Sequence, residues 1–193
     1  DVIYFSPGDM EMPVGLNLFE YENLDQRDFL IQETIAMLYK LYDPGHTGIV
    51  GPRYEHWFRN AALTVMADRE KGSTFIDVPQ VFNDQGFADE KLKYVTDRTV
   101  LDFWNKEMAQ TSEANKSEVL GWFVSKFGAF LSNEMMRNII GQTKSGFDLR
   151  EVMDNKKILL VNLSKGRVGE LNSQLLGMIF VMKFQAAAMG RAD

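Results

Sequence analysis

The chain has 193 residues, of which 45% are hydrophobic and 12% aromatic, so it is long enough and apolar enough to fill a core. Its formal net charge is −6, so the chain has no overall positive charge that would attract nucleic acid or an anionic membrane surface. A local basic patch is compatible with this net charge. The absence of cysteine excludes disulfides and thiol chemistry, which suits a cytosolic protein.

The chain opens with a short apolar segment, residues 2–5 (VIYF), which predicts a strand. Residues 6–15 follow with two prolines and two glycines, which predicts a loop. A loop at the carboxyl end of a parallel strand is where α/β proteins place ligand contacts. A plain surface connection is the alternative interpretation of the same residues.

Helix signals then fill residues 23–154, with no convincing strand among them. Asn23 and Gln26 form a capping-box pattern at the start of the first predicted helix, and residues 43–45 (DPG) end it. Pro52 opens the second helix, and residues 118–131 have the clearest helical period. The remaining predicted helices are led by Asp77, Asp89, Asp97, Asn133 and Asp148.

The last part of the chain predicts a strand, a loop and a helix. Residues 157–163 (KILLVNL) are a short apolar run without alternation, which indicates a strand buried on both faces and hence an inner strand of a parallel sheet. Residues 164–170 form a polar turn with two glycines, and residues 171–189 are apolar nearly all round, which predicts a buried helix. This unit is half of a βαβ crossover.

The predicted fold class is α/β with a large inserted all-α subdomain, mostly helical overall. Residues 1–22 and 155–193 form the α/β part, in which the two strands pair in parallel, and residues 23–154 form the helical insert. Because the chain begins in a strand and stops where another strand is expected, we hypothesise that it is a piece of a larger α/β protein.

Two segments are candidates for phosphate binding. Residues 143–145 (TKS) end like a Walker A loop, but Thr143 replaces its glycine and the segment lies between two predicted helices, so we reject it. Residues 165–169 (KGRVG) lie between a strand and a helix whose first amides could face an anion. Lys165 and Arg167 are therefore the candidate nucleotide-proximal residues, with a solvated loop as the alternative.

No complete catalytic set or metal site is predicted. His46 and His56 are the only histidines, and no carboxylate cluster is spaced to complete a metal site around them. His56 is expected on a helix surface. Trp57, Trp104 and Trp122 each lie on a predicted helix and are expected to anchor the core rather than to stack on a ligand.

Three segments together resemble the bacterial type IV secretion and conjugative coupling ATPases, relatives of the FtsK and HerA DNA pumps. They are residues 1–9 (DVIYFSPGD) with 13–17 (PVGLN), residues 74–79 (TFIDVP) with 102–104 (DFW), and residues 158–169 (ILLVNLSKGRVG) running into 176–177 and 187–193. The resemblance covers nearly the whole chain in the same order. Leu18 departs from it, since relatives tend to have proline there, and this weakens a nucleotide-side role for Asn17.

The resemblance implies that the parent is a RecA-like P-loop motor that couples ATP hydrolysis to the movement of DNA or a protein substrate. Such motors are usually homo-oligomers, commonly hexamers, at the cytoplasmic face of the inner membrane. Their inserted helical subdomain meets the substrate or its adaptor, alongside other type IV secretion components. The Walker A and Walker B elements, which bind ATP and Mg²⁺, would lie outside residues 1–193, so this chain alone is expected to be inactive and to hold no cofactor.

Two other functions stay open from the residues alone. One is a stand-alone helical protein-interaction module without nucleotide chemistry. The other is a complete small enzyme whose site carries no recognisable motif. The sequence also predicts that the strands at residues 2–5 and 158–163 expose edges that could pair between chains.

Overall fold

The computed structural model describes residues 1–191, apart from the side chains of residues 113, 119 and 129. The chain is mostly helical and contains a two-stranded parallel sheet. Its strands are β1 (Val2–Phe5) and β2 (Ile158–Val161), with Val2 opposite Ile158 and Phe5 opposite Val161. The predicted parallel pairing of two segments more than 150 residues apart is therefore confirmed. Residues 192–193, part of the predicted carboxyl-terminal segment, lie outside the described residues.

Helices alone make up the regular structure of residues 23–154, as the sequence predicts. They are α1 (Leu24–Tyr42), α2 (Pro52–Val65), α3 (Asp77–Asn83), α4 (Gln85–Leu92), α5 (Arg98–Asp102), α6 (Glu113–Ser125), α7 (Gly128–Leu131), α8 (Glu134–Ile140) and α9 (Leu149–Asp154). Helix α5 runs directly into a π-helical turn, Phe103–Met108. After β2 come α10 (Lys165–Val168) and α11 (Glu170–Met189).

Most of the predicted helix caps are present. The side chains of Asn23, Asp97, Asn133 and Asp148 each accept a hydrogen bond from a backbone N–H in the first turn of α1, α5, α8 and α9. The predicted caps at Asp77 and Asp89 are wrong. Asp77 is the first residue of α3, and its carboxylate accepts the N–H of Thr74, before the helix, at 2.7 Å. Helix α4 begins earlier, because Asp84 accepts the N–H of Phe87 and the helix then runs through Asp89.

An anchored loop joins α1 to α2. The carboxylate of Asp43 is almost completely buried and accepts four hydrogen bonds. They come from the backbone N–H and hydroxyl of Thr47 at 2.6 and 2.8 Å, and from the N–H groups of Gly48 and Val50 at 2.9 and 3.2 Å. Asp43 therefore fixes the course of the loop that follows the predicted helix stop.

Aromatic side chains from α2, from the turn before α3 and from the turn between α6 and α7 form the centre of the helical block. Phe58 stacks with Phe127 at a centroid distance of 6.4 Å, and Phe75 lies 4.8 Å from the Phe127 ring. The same core continues to the sheet, where the rings of Phe5 in β1 and Phe180 in α11 pack edge to face with their centroids 4.9 Å apart. One contiguous set of buried apolar residues thus joins the helical block to the sheet.

The helix expected over residues 118–131 is two helices. Helix α6 starts earlier, behind the cap of Ser112, and ends at Ser125. Between α6 and α7 the N–H groups of Lys126 and Phe127 bond back only three residues, to Phe123 and Val124, which tightens the chain. This turn lets both Phe123 and Phe127 point into the aromatic core, where each is fully buried.

The expectation that β2 is an inner strand buried on both faces is wrong. Its side chains alternate, and Ile158 and Leu160 are 56% and 51% exposed. Val2 and Tyr4 of β1, at 62% and 57% exposure, lie on the same face. We call these four side chains the outer sheet face. They are exposed because, among residues 1–191, the sheet has two strands and is covered by helix on its other side only.

Two further expectations about the carboxyl-terminal unit are corrected. The polar turn at residues 164–170 contains a short helix, α10, because Ser164 O accepts the N–H groups of Arg167 and Val168. Helix α11 is buried along one side, including Leu176 and Ile179, but Val181 is 67% exposed. A helix with few charges is therefore not buried all round here, because α1 and the sheet cover only part of its circumference.

Candidate functional site

The carboxyl ends of the two strands meet at one edge of the sheet. Asn162, just after β2, donates its backbone N–H to the carbonyl of Phe5 at 2.9 Å, so the pairing extends to the point where both chains leave the sheet. The loop after β1 and helix α10 after β2 then lie side by side. A Cβ placed on Gly8 would be 3.8 Å from Cδ of Arg167. We call this place the carboxyl edge.

Polar side chains order the two segments at the carboxyl edge. Asp9 accepts the N–H groups of Glu11 and Met12 at 3.1 and 3.0 Å, which turns the loop after β1. Asn162 donates its side-chain amide to the Tyr4 hydroxyl at 2.8 Å and accepts the N–H of Ser164 at 3.2 Å. These hydrogen bonds turn the loop after β1 and tie the start of the segment after β2 to β1.

The predicted residues Lys165 and Arg167 both lie on α10, exposed at the carboxyl edge. Lys165 Nζ is 2.8 Å from the Glu170 carboxylate. The hydrogen bond from Lys165 and then its charge lower the pKa of Glu170, against a smaller opposing effect of burial. Arg167 forms no ion pair among the described residues. Both cations therefore lie at the carboxyl ends of the parallel strands, where α/β proteins bind ligands.

The start of α11 faces the same region. Gly169 precedes the helix with a φ of +82°, a conformation that glycine adopts without strain. No side chain caps the first turn, although Asn172 donates to the Val168 carbonyl at 2.8 Å and Ser173 to the Leu163 carbonyl at 2.7 Å. Amide groups at the start of a long helix favour anions. The arrangement at the carboxyl edge can therefore accept a negatively charged group.

Asn17 lies elsewhere and is a structural residue. It is almost fully buried, and its amide donates to the carbonyls of Ser73 and Thr143 at 2.9 Å each. Its carbonyl oxygen accepts the N–H of Phe19 at 2.9 Å, and its own N–H bonds to the Ser145 hydroxyl at 3.1 Å. Asn17 therefore ties three loops together. The rejected segment 143–145 is one of these loops, between α8 and α9.

The histidines and tryptophans are placed largely as predicted. His56 lies on the surface of α2, with Nε2 2.8 Å from the Glu107 carboxylate in the π-helical turn. Trp57 is buried in the core, whereas Trp104 and Trp122 are half-buried against it. Within residues 1–191, no three or more His, Cys, Asp or Glu side chains are grouped so that they could hold a metal ion.

A concave site elsewhere in the molecule was missed by the sequence predictions. It is a cleft of about 380 Å³ between the segment before α1, the segment leading into α9, and α11, and we call it the Lys183 cleft. Its charged wall residues include Glu20, Arg69, Lys144 and Lys183. The signal that could have found it is Lys183 itself, the only charged residue of α11 apart from Glu170 at its start. A lone charge on such a helix needs a polar surrounding.

Comparisons with known proteins identify no relative. No family model, no curated protein and no solved structure matches the chain. Of the helices formed by the described residues, none combines the length and the apolar character needed to cross a membrane.

Proposed function

We propose that the chain is a segment of a type IV secretion or conjugative coupling ATPase. In this proposal the two strands, α10 and α11 belong to a RecA-like nucleotide-binding domain at the inner-membrane face, and the helical block is the insert that contacts the DNA or protein substrate or its adaptor. The observation that supports it is the parallel pairing of β1 with β2 across an all-helical connection. A parallel pair interrupted by a helical insert is the topology that the resemblance implies.

The outer sheet face also supports a larger α/β assembly. Its four apolar side chains are each more than half exposed. Parallel sheets normally have both faces covered, because the crossover connections place helices on them. In the proposed motor, further parts of the nucleotide-binding domain cover this face and pair with the open strand edges, and the assembled protein is a homo-oligomer, a hexamer by resemblance.

Lys165 and Arg167 have the charge and position to contact a nucleotide phosphate in the proposed motor. The ion pair of Lys165 with Glu170 is solvent-exposed, so exchanging that carboxylate for a phosphate costs little. In this proposal the remaining phosphate contacts and the magnesium contacts come from the Walker A and Walker B elements of the rest of the motor.

The reading frame that encodes the chain is the sharpest test. We expect a Gly-x-x-x-x-Gly-Lys-[Ser/Thr] motif before residue 1 and an acidic Walker B strand after residue 193. The two strands that carry them would extend the sheet beyond β1 and β2. A reading frame that lacks both would reject the proposal in favour of a stand-alone helical interaction module.

ATP hydrolysis assays test whether the catalytic elements lie outside this chain, as the proposal requires. We expect no ATP hydrolysis above the buffer rate, because the chain contains no Walker A motif. The full-length protein from the same reading frame should hydrolyse ATP, more slowly when Lys165 and Arg167 are both changed to Ala. A matched Lys93→Ala variant, on an exposed surface beyond α4, should keep the full rate. Turnover by the isolated chain would contradict the proposal as stated.

DNA binding separates the two proposed substrates of the helical block. Fluorescence anisotropy of labelled single- and double-stranded DNA, at about 50 and about 200 mM salt, would show binding that weakens steeply with salt if the block faces DNA. No binding at either salt concentration would assign the block to a protein substrate or an adaptor.

A further inference from the structure

The ammonium group of Lys183 lies in the Lys183 cleft next to a backbone carbonyl and without a carboxylate partner among the described residues. Its ammonium group donates a hydrogen bond to the backbone carbonyl of Glu20 at 2.9 Å. In the described part of the chain it forms no ion pair with a carboxylate. Burial lowers the pKa of Lys183, while the more distant charges of Glu20, Asp148 and Glu22 act in the opposite direction. The ammonium group therefore has hydrogen-bonding capacity and charge that this part of the protein leaves unmatched.

The nearest carboxylates are already engaged by other groups. One oxygen of Glu20 accepts the N–H of Ser145 at 3.0 Å, and the other lies 3.9 Å from Lys144. Asp148 accepts the N–H of Glu151 at 2.9 Å as the cap of α9. These contacts orient the two carboxylates toward other groups, and in the structure neither forms an ion pair with Lys183.

Cations and carboxylates both line the cleft. The cations are Arg69, Lys144, Arg150 and Lys183, and the carboxylates are Glu20, Glu22 and Asp148. Arg150 is paired with Asp154, 3.4 Å away and outside this lining, so the other three cations are the ones left to meet a ligand. The guanidinium carbon of Arg69 lies 5.1 Å from the centroid of the Tyr21 ring, and the same guanidinium group donates a hydrogen bond to the backbone carbonyl of Glu22. The Lys144 side chain is 79% exposed and can turn toward a ligand.

We propose that the Lys183 cleft binds a small anion, a carboxylate or a phosphate, that accepts hydrogen bonds from the Lys183 ammonium group. The volume of the cleft suits a small molecule. Hydrogen bonds between an ammonium group and a charged oxygen are about twice as strong as those between neutral groups. This site is separate from the carboxyl edge, and the inference does not depend on the proposed function.

Binding of two probes, inorganic phosphate and succinate, tests the proposal. We expect saturable binding of one equivalent of at least one probe in calorimetry, and the preferred probe distinguishes a phosphate site from a carboxylate site. Changing Lys183 to Met should weaken that binding about tenfold or more, because a charge-assisted contact is lost. Lys183→Arg keeps the charge and should retain part of the affinity, and Lys93→Met, outside the cleft, should retain all of it.

NMR of Lys183 in the unmodified protein tests the proposal even if a variant fails to fold. In the unmodified protein, the side-chain amine resonance of Lys183 in a lysine-labelled NMR sample should shift as the bound probe saturates the site. A resonance that does not move, an absence of saturable binding, or equal affinity of the folded Lys183→Met variant would each overturn the proposal. The last result would show an adventitious ion only.

Discussion

The aromatic core of the helical block and the outer sheet face are both apolar, but the core is surrounded by protein and the sheet face is exposed to solvent. In the core, Phe58 is 0% exposed and is surrounded by the rings of Tyr54, Phe75 and Phe127. On the outer sheet face every side chain is more than half exposed. The helices thus close their own core, whereas the sheet leaves an apolar surface open.

This difference shows where the chain gains its stability. Burying apolar area stabilises a fold in proportion to the area removed from water. The aromatic core therefore contributes strongly within this chain, and the outer sheet face contributes little until something covers it. Substitutions at Phe58, at Asp43 and on the outer sheet face should therefore reduce stability by amounts that decrease in this order.

Changing Phe58 to Ala should destabilise the protein most. The substitution removes a fully buried ring and leaves a cavity among three other rings, and such changes cost about 3–5 kcal/mol. Urea denaturation followed by circular dichroism measures the loss. The matched control is Phe87→Ala on α4, where the ring is only half-buried and the expected loss is clearly smaller. Equal losses at Phe58 and Phe87 would contradict the assignment of the core.

Asp43 should give an intermediate effect that depends on pH. Burial alone would raise the pKa of Asp43, but the hydrogen bonds from Thr47, Val50 and Gly48 outweigh it and hold the pKa at about 2, below the usual 3.8. Between these values the unfolded chain binds more protons than the folded chain, so the stabilisation is full above pH 3.8 and is lost as the pH falls toward 2.

The Asp43→Asn variant measures this contribution. Its unfolding midpoint in urea should lie below that of the unmodified protein at pH 6, and the gap should narrow as the pH is lowered through the range between the two pKa values. Asp25→Asn, an exposed position in the first turn of α1, is the matched control. A gap that stays constant with pH would show that the ionised carboxylate does not hold the loop.

The outer sheet face should give the smallest change in stability. Replacing Ile158 and Leu160 together by Ser should change the free energy of unfolding by about 0.5 kcal/mol or less per site, because both side chains are exposed. Any self-association of the chain should decrease in the same variant, as sedimentation velocity can measure. An unmodified chain that stays strictly monomeric at high concentration would argue against pairing through this face or its edges.

The carboxyl edge was largely predictable, whereas the Lys183 cleft was not. Lys165 and Arg167 follow β2 within a few residues, so their position at the edge depends only on where the strand ends. The cleft instead joins Lys183 to Glu20 and Ser145, residues from distant parts of the chain. No local pattern connects them, since their neighbourhood depends on how α11 packs beside α1 and α9.

What the sequence determined by itself is local. Asn23, Asn133 and Asp148 cap their helices because a short polar side chain reaches the amides of the next turn without help from the rest of the fold. Asp84 caps α4 in the same local way, so the expected start at Asp89 overlooked a local signal. Only the tertiary structure decided that one face of β2 is exposed and that Lys183 lies beside Glu20. Burial and partner choice are properties of packing, and packing joins residues that no short stretch of sequence contains.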